Sequence, residues 1–91
     1  SYTLVLGDVG KFVELQTGGS VVVPGSVFGA GDVITIVNNT DATINCTCSA
    51  VTDVYEAGTN TDISSFGILT RGIATVFFVS ATRAIVSGNL S

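Results

Sequence analysis

The chain has 91 residues, with 3 Lys and Arg against 7 Asp and Glu, and a formal net charge of −4 at pH 7. This length predicts one domain, residues 1–91, and an acidic chain repels phosphate backbones, so we expect no nucleic-acid partner. More than a third of the residues are Val, Ile or Thr, which favour pleated sheets over helices. The composition therefore predicts an all-β protein.

Short extended runs separated by glycine-bearing turns follow one another along the chain. We predict strands at residues 11–16, 20–24, 32–38, 42–49, 51–56, 73–80 and 83–87, with residues 2–6 as an eighth. Turn signals at this spacing are typical of a small antiparallel β-sandwich or jelly-roll-like domain of about seven to eight strands. Pro24 should end its strand because it lacks an amide proton for an interior ladder.

The polar links between these runs predict two hairpins and one loop. Residues 38–41, with the sequence Asn-Asn-Thr-Asp, have the chemistry of a hairpin turn, and Ala81 and Thr82 join the last two runs in the same way. Residues 58–65 are rich in Gly, Thr, Asn and Asp, and we interpret them as an exposed loop.

The two cysteines, Cys46 and Cys48, lie two residues apart on a predicted strand, so both thiols should point to the same face. Their Cα atoms would lie about 7 Å apart, beyond the usual span of a disulfide. A metal site would need two further ligands, and the chain has no His and no third Cys. We interpret the cysteines as small buried apolar side chains, compatible with assembly in a reducing cytoplasm.

No group of residues has the pattern of a catalytic or cofactor site. General acid–base and nucleophilic catalysis would have to proceed without an imidazole, and most of the seven acids lie in turns or at strand ends. Residues 7–11 lack the spacing of a phosphate loop, and residues 60–64 offer alternating oxygen donors without the calcium-loop pattern. We expect no enzyme activity, no cofactor and no bound metal.

The chain also lacks the segments that would place it in or across a membrane. No run approaches 18 apolar residues, and the N-terminal residues show no basic stretch followed by an apolar one. A small first residue is what remains after an initiator Met is removed, so we expect a complete small gene product.

Several predicted strands are apolar on both faces, unlike strands that have one face in water. In residues 73–79, Ile73, Phe77 and Val79 alternate with Ala74, Val76 and Phe78. In residues 33–37, Val33 and Val37 lie opposite Ile34 and Ile36. One face can enter the core, and the second needs another partner, such as copies of the chain or a larger scaffold. The alternative is that a closed barrel or long loops of the same chain cover these faces.

Three parts of the chain resemble small β-rich modules in virion proteins of tailed bacteriophages of the marine and cyanophage type. They are YTLVL and DVGKFVE at residues 2–6 and 8–14, VP and GDVI at 23–24 and 31–34, and IVSGNL at 85–90. The chain has one proline where a longer proline-rich loop often occurs in that group, so loop-borne recognition is not implied.

The resemblance implies a free-standing capsid decoration, or cement, protein. Such a protein would bind the major capsid protein on the head surface of the virion as a homo-oligomer, commonly a trimer, after assembly in the host cytoplasm. We predict Phe66, Ile68 and Leu69 as apolar contacts with Arg71 as a polar anchor. The alternative for the apolar residues is that they belong to the core.

Two other functions stay open at this point. One is a tail-fibre or receptor-binding virion component. The other is a small carbohydrate- or ligand-binding sandwich, which the absence of Trp and the presence of only 2 Tyr disfavour because sugars stack on such rings.

Overall fold

A computed structural model describes residues 1–91, and it contains nine strands and no α-helix. The strands are β1 (Tyr2–Thr3), β2 (Phe12–Leu15), β3 (Ser20–Pro24), β4 (Val33–Asn38), β5 (Ile44–Ser49), β6 (Asp53–Glu56), β7 (Ser65–Ile68), β8 (Ile73–Ser80) and β9 (Arg83–Gly88). A single 3₁₀ turn at Leu6–Asp8 joins the first two strands. The all-β prediction is confirmed, and Pro24 does end its strand.

The strands form a four-stranded sheet in the order β1-β3-β5-β7 and a five-stranded sheet in the order β2-β4-β8-β9-β6. Up to β8, every connection carries the chain from one sheet to the other, and only β8 and β9 follow each other within a sheet. The arrangement is a two-layer β-sandwich around one hydrophobic core of 17 buried residues.

Strand pairing in both sheets is mixed, which corrects the prediction of an antiparallel domain. The pairs β1–β3, β3–β5, β2–β4 and β6–β9 are parallel, whereas β4–β8, β5–β7 and β8–β9 are antiparallel. In β1–β3, β2–β4 and β3–β5 the chain spends one strand in the opposite sheet before it returns, and that strand serves as the crossover that parallel pairing requires. Between β6 and β9 the crossover consists of β7 and β8.

One of the two predicted hairpins is correct. The turn at Ala81 and Thr82 joins the antiparallel pair β8–β9. The hairpin predicted at residues 38–41 is wrong, because β4 and β5 belong to different sheets and residues 39–43 cross between them. Asn38 and Thr40, which we interpreted as turn residues, are buried and hydrogen-bonded to each other in this crossover.

The sequence also predicted no strand at β7 (Ser65–Ile68). The segment is short and contains Gly67, so it offered neither length nor alternation. It is a strand because it pairs with β5, where Phe66 lies opposite Cys46 and Ile68 lies opposite Ile44. An added Cβ at Gly67 would lie 2.7 Å from the Thr43 Cγ2 atom and closer still to Ser91, which accounts for glycine in this strand.

Alternation explains the inner face of the four-stranded sheet. In β5, Ile44 and Cys46 are buried while Asn45 and Thr47 are exposed, as period-two packing requires. Cys48 is half-buried on the same side as Cys46, so the prediction that both thiols share one face is confirmed.

Two outer strand edges are covered by irregular parts of the chain. Along β7, the Ser91 amide donates to the Gly67 carbonyl at 3.0 Å, and Leu90 bridges to Ile68. Along β6, the Ile63 amide donates to the Val54 carbonyl at 2.7 Å, and Asp62 bridges to Tyr55. These contacts satisfy backbone groups that would otherwise offer a template for another strand.

Candidate interaction face

The outer face of the five-stranded sheet is the most unusual surface of the molecule. Strand register places Val33, Phe77, Ile85 and Tyr55 in one continuous row across β4, β8, β9 and β6. Val37 and Ile73 form part of a second row, nearer one end of the sheet. Between them, Phe12 stands beside Thr35 in a row that continues through Thr75 to Ser87. We call this surface the apolar face.

Large side chains on the apolar face are partly exposed to solvent. The exposed fractions are 65% for Phe12, 48% for Ile73, 43% for Phe77, 42% for Val79 and 41% for Ile85. At roughly 150–250 Å² for each large side chain, these five expose on the order of 450 Å², as much as the largest apolar patch on a typical monomer. The chain itself therefore does not cover the second apolar face of β8, and the alternative of a barrel or covering loops is wrong.

The opposite sheet shows what an outer face in water looks like in this protein. There, register places Val22 beside Thr47 and Thr47 beside Ser65, and the neighbouring row contains Ser20 and Asn45. The outer residues of β5 are thus polar, whereas those of β8 include Ile, Phe and Val at every position except Thr75. The outer strand residues of the two sheets therefore differ in polarity, although large apolar side chains are also exposed outside the sheets, as at Val5 and Leu6.

Two concave regions flank the centre of the apolar face. The larger, of about 540 Å³, lies between the edge strand β2 and β4 and is lined by Gly10, Lys11, Phe12, Val33, Thr35 and Val37. The smaller, of about 350 Å³, lies towards β6 and is lined by Asp53, Tyr55, Val79, Arg83, Ala84 and Ile85. The surface therefore has relief: projecting side chains, including Phe12, stand beside hollows.

Charged side chains are confined to the two margins of the apolar face. Lys11 and Glu14 lie at one margin, before and on β2, with Glu14 in the row of Val37. Asp53 and Arg83 lie opposite each other on β6 and β9, at the other margin. The centre, formed by β4 and β8, holds no charged residue. An apolar centre with a charged rim is the usual anatomy of a protein–protein contact.

The four residues predicted as contacts do not form one surface. Phe66 and Ile68 are buried at 5% and 0% exposure, so the alternative that they belong to the core is confirmed and their side chains are not available to a partner. Leu69 is 42% exposed, just beyond the end of β7. The error arose because β7 was not identified as a strand with an inner face.

Arg71, the predicted polar anchor, is exposed and bound within its own chain. Its Nη1 atom donates to the Asn39 carbonyl at 2.9 Å and to the Asn39 Oδ1 atom at 2.8 Å. Asn39 in turn donates through Nδ2 to the Glu14 Oε2 atom at 2.9 Å. Arg71 therefore ties the turn before β8 to the crossover after β4, and a guanidinium group has further N–H donors beyond those on Nη1.

The sequence analysis did not single out Phe12, Tyr55 or Ile85 as surface residues. Phe12 and Ile85 are each the exposed member of an alternating strand and carried no signal of their own. The available signal was the two-faced pattern of residues 73–79 and 33–37, which identified two strands of the apolar face. Their adjacency becomes visible only from the strand order, which pairs Val33 with Phe77, 44 positions away.

The titratable groups do not converge on a reactive centre. Burial raises the pKa of Cys46 to about 12, and burial together with the nearby charge of Asp62 raises the pKa of Cys48 to about 11. Both thiols are thus held protonated at neutral pH. No three His, Cys, Asp or Glu side chains lie close enough to share a metal ion. No helix has the length and apolar character to cross a membrane.

Comparison with known protein families, curated proteins and solved structures returned no match to this chain.

Proposed function

We propose that this chain is a structural assembly protein, without catalytic activity, that decorates the head of a tailed bacteriophage as a homo-oligomer, expected to be a trimer. The observation that supports it is the apolar face, whose exposed Phe, Ile and Val side chains would be costly in a protein that worked alone in water. The location on the virion head rests on the resemblance of residues 2–6, 8–14, 23–24, 31–34 and 85–90 to phage virion modules.

A decoration protein acts by adding binding free energy between neighbouring shell subunits, so it needs complementary surface more than reactive groups. An oligomer that engages several equivalent sites gains effective concentration. Its overall affinity can exceed that of one site by about 10²- to 10⁴-fold. A chain of 91 residues can therefore stabilise a shell even if each copy contacts it over a small area.

The exposed pair Leu69 and Arg71 is the proposed contact with the major capsid protein. Both residues lie in the turn between β7 and β8, at one end of the sandwich and away from the centre of the apolar face. Leu69 is 42% exposed, and Arg71 is held by the hydrogen bonds to Asn39. A fixed arginine beside an exposed leucine combines an apolar contact with directional donors.

The copy number of the protein in purified virions tests the proposal. Quantitative mass spectrometry should find it in a fixed, high ratio to the major capsid protein, and labelled protein should rebind to heads from which it has been removed. Leu69→Asp should lose rebinding, whereas Thr47→Asp, on the polar outer face, should retain it. A few copies per particle, confined to tails, would instead identify a tail-fibre or receptor-binding component.

A further inference from the structure

We propose that the apolar face is the surface through which copies of this chain bind one another, and that the contact joins the β2 margin of one copy to the β6–β9 margin of the next. This inference rests on the oligomer in the proposed function and assigns a surface to it. The apolar face would then be buried between copies, leaving the Leu69–Arg71 turn for the head.

The size of the apolar face suits a contact between small subunits. The five strands together hold 28 residues, which at about 3.3 Å per residue and about 4.8 Å between strands gives a plan area of roughly 450 Å². Side-chain relief makes the accessible area larger than the plan area. The face therefore suits an interface near the lower limit of stable contacts, about 600 Å² per partner.

The relief of the apolar face supports another copy of the same chain as the occupant. Phe12 projects at the β2 margin with 65% of its surface exposed. The hollow of about 350 Å³ at the opposite margin is lined by Tyr55, Val79, Ala84 and Ile85, with Asp53 and Arg83. Because one chain carries both the projection and the hollow, a second copy can present Phe12 to the hollow of the first. When two copies bind through the same surface, one part of that surface must be complementary to another part of it.

The charges at the two margins allow the same arrangement. Glu14 lies two residues after Phe12 on β2, on the same side of the strand, and Lys11 lies next to Phe12. Asp53 and Arg83, which are opposite each other on β6 and β9, both line the hollow that would receive Phe12. We pair Glu14 of one copy with Arg83 of the other, because a register that brought Glu14 to Asp53 would place like charges together. Opposite charges at the rim fix the register of such a contact and exclude wrong orientations.

The solution mass of the purified chain tests the proposal, with two variants on the outer faces of the sheets. Sedimentation equilibrium should give an oligomer for the natural protein at micromolar concentration. Phe77→Lys, at the centre of the apolar face, should raise the dissociation constant at least tenfold and give a monomer with an unchanged circular dichroism spectrum. Thr47→Lys adds the same charge on the polar outer face and should leave the mass unchanged.

A charge exchange tests the pairing of the two margins. Arg83→Glu should weaken self-association, and adding Glu14→Arg in the same chain should restore it, since every Glu14–Arg83 contact would then be reversed. Failure of the double variant to recover would overturn the pairing. This pair of variants also keeps the proposal testable if Phe77→Lys does not fold.

Two outcomes would overturn the self-contact: a monomeric natural protein, or an oligomer unaffected by Phe77→Lys. The rebinding assay distinguishes failure of the self-contact from failure of the proposed function. If the protein is a monomer and still coats heads, the proposed decoration role stands, and the apolar face is the contact with the capsid protein. An oligomer dissociated by Phe77→Lys that never binds heads would retain the self-contact and reject the decoration role.

Discussion

Asn38 shows how one polar side chain can secure the passage of the chain between the two sheets. It is fully buried, and its Nδ2 atom donates to the carbonyls of Ala42, Ile68 and Leu69 at 2.8, 2.9 and 3.0 Å. Its Oδ1 atom accepts from the Thr40 amide and hydroxyl. The end of β4 in one sheet is thereby bonded to the end of β7 in the other.

Replacing Asn38 with alanine should lower the free energy of unfolding by about 3 kcal/mol, because three carbonyls and the Thr40 groups lose their partner inside the protein. Urea unfolding followed by circular dichroism measures the change. Asn45→Ala, at an exposed position of β5, is the control and should change stability by less than about 0.5 kcal/mol. Equal effects of the two variants would mean that the Asn38 hydrogen bonds contribute nothing beyond solvent contacts.

The raised pKa values of the two thiols should make the fold less stable at alkaline pH. In the unfolded chain a thiol ionises near pH 9.0, whereas the folded values are about 12 for Cys46 and about 11 for Cys48. Above pH 9.0 the unfolded state releases these protons and the folded state keeps them, so the free energy of unfolding falls as pH rises towards 11.

The comparison that isolates this effect uses the double variant Cys46→Ala with Cys48→Ala. Its thermal midpoint should decline less steeply over the same alkaline range than that of the natural protein, although the variant is less stable at pH 7. Parallel curves for the two proteins would show that other groups cause the alkaline loss.

At the scale of the element, β8 combines a core face and a surface face in eight residues. Phe78 is fully buried, with its ring 4.8 Å from that of Phe28, while Phe77 next to it is 43% exposed. Phe78→Ala should cost about 3–5 kcal/mol of stability because it opens a cavity in the core. Phe77→Ala should cost less than about 1 kcal/mol in the dissociated subunit.

Chemical unfolding of both variants at concentrations below self-association measures the two costs separately. If the Phe77 variant lost as much stability as the Phe78 variant, its side chain would be part of the core, and the apolar face would not be free to bind another copy.

The positions of the strands were more predictable from the sequence than the pairing between strands. Residues 20–24 and 73–80 match β3 and β8 because alternation, Pro24 and the flanking turns are local signals. The partner of β4 was not predictable, since the polar link at residues 38–41 has the same composition whether it turns back within a sheet or crosses to the other. What distinguishes the two cases is the bond from Asn38 to Ile68 and Leu69, 30 and 31 residues away.

For the candidate site, too, the local pattern was predictable from the sequence and the spatial arrangement was not. The two-faced pattern of β8 predicted that an apolar surface would need a partner, and the exposure of Ile73, Phe77 and Val79 agrees with it. The choice of Phe66 and Ile68 as contacts was wrong because local sequence does not say which of two apolar faces points inward. That orientation depends on pairing with β5, which is fixed only when the whole sandwich forms.

At the scale of the whole molecule, repeated crossing between sheets should make folding slow. All strand pairs except β8–β9 join segments separated by at least one other strand, so loops must close before most contacts form. We expect the monomeric Phe77→Lys variant to refold in milliseconds to seconds in stopped-flow fluorescence or circular dichroism. Refolding in microseconds would contradict the nonlocal pairing order.

The last residues of the chain, which lie along β7, have a consequence for how copies can accumulate. Ser91 is hydrogen-bonded to Gly67, and Leu90 is bridged to Ile68. Because these contacts occupy the β7 edge, a strand of another copy cannot pair there and extend the sheet into a fibril. A tag fused after Ser91, or a truncation before Leu90, would remove these contacts and expose the β7 edge. Labels for imaging are better attached at Asn60, which is exposed at the tip of the loop after β6.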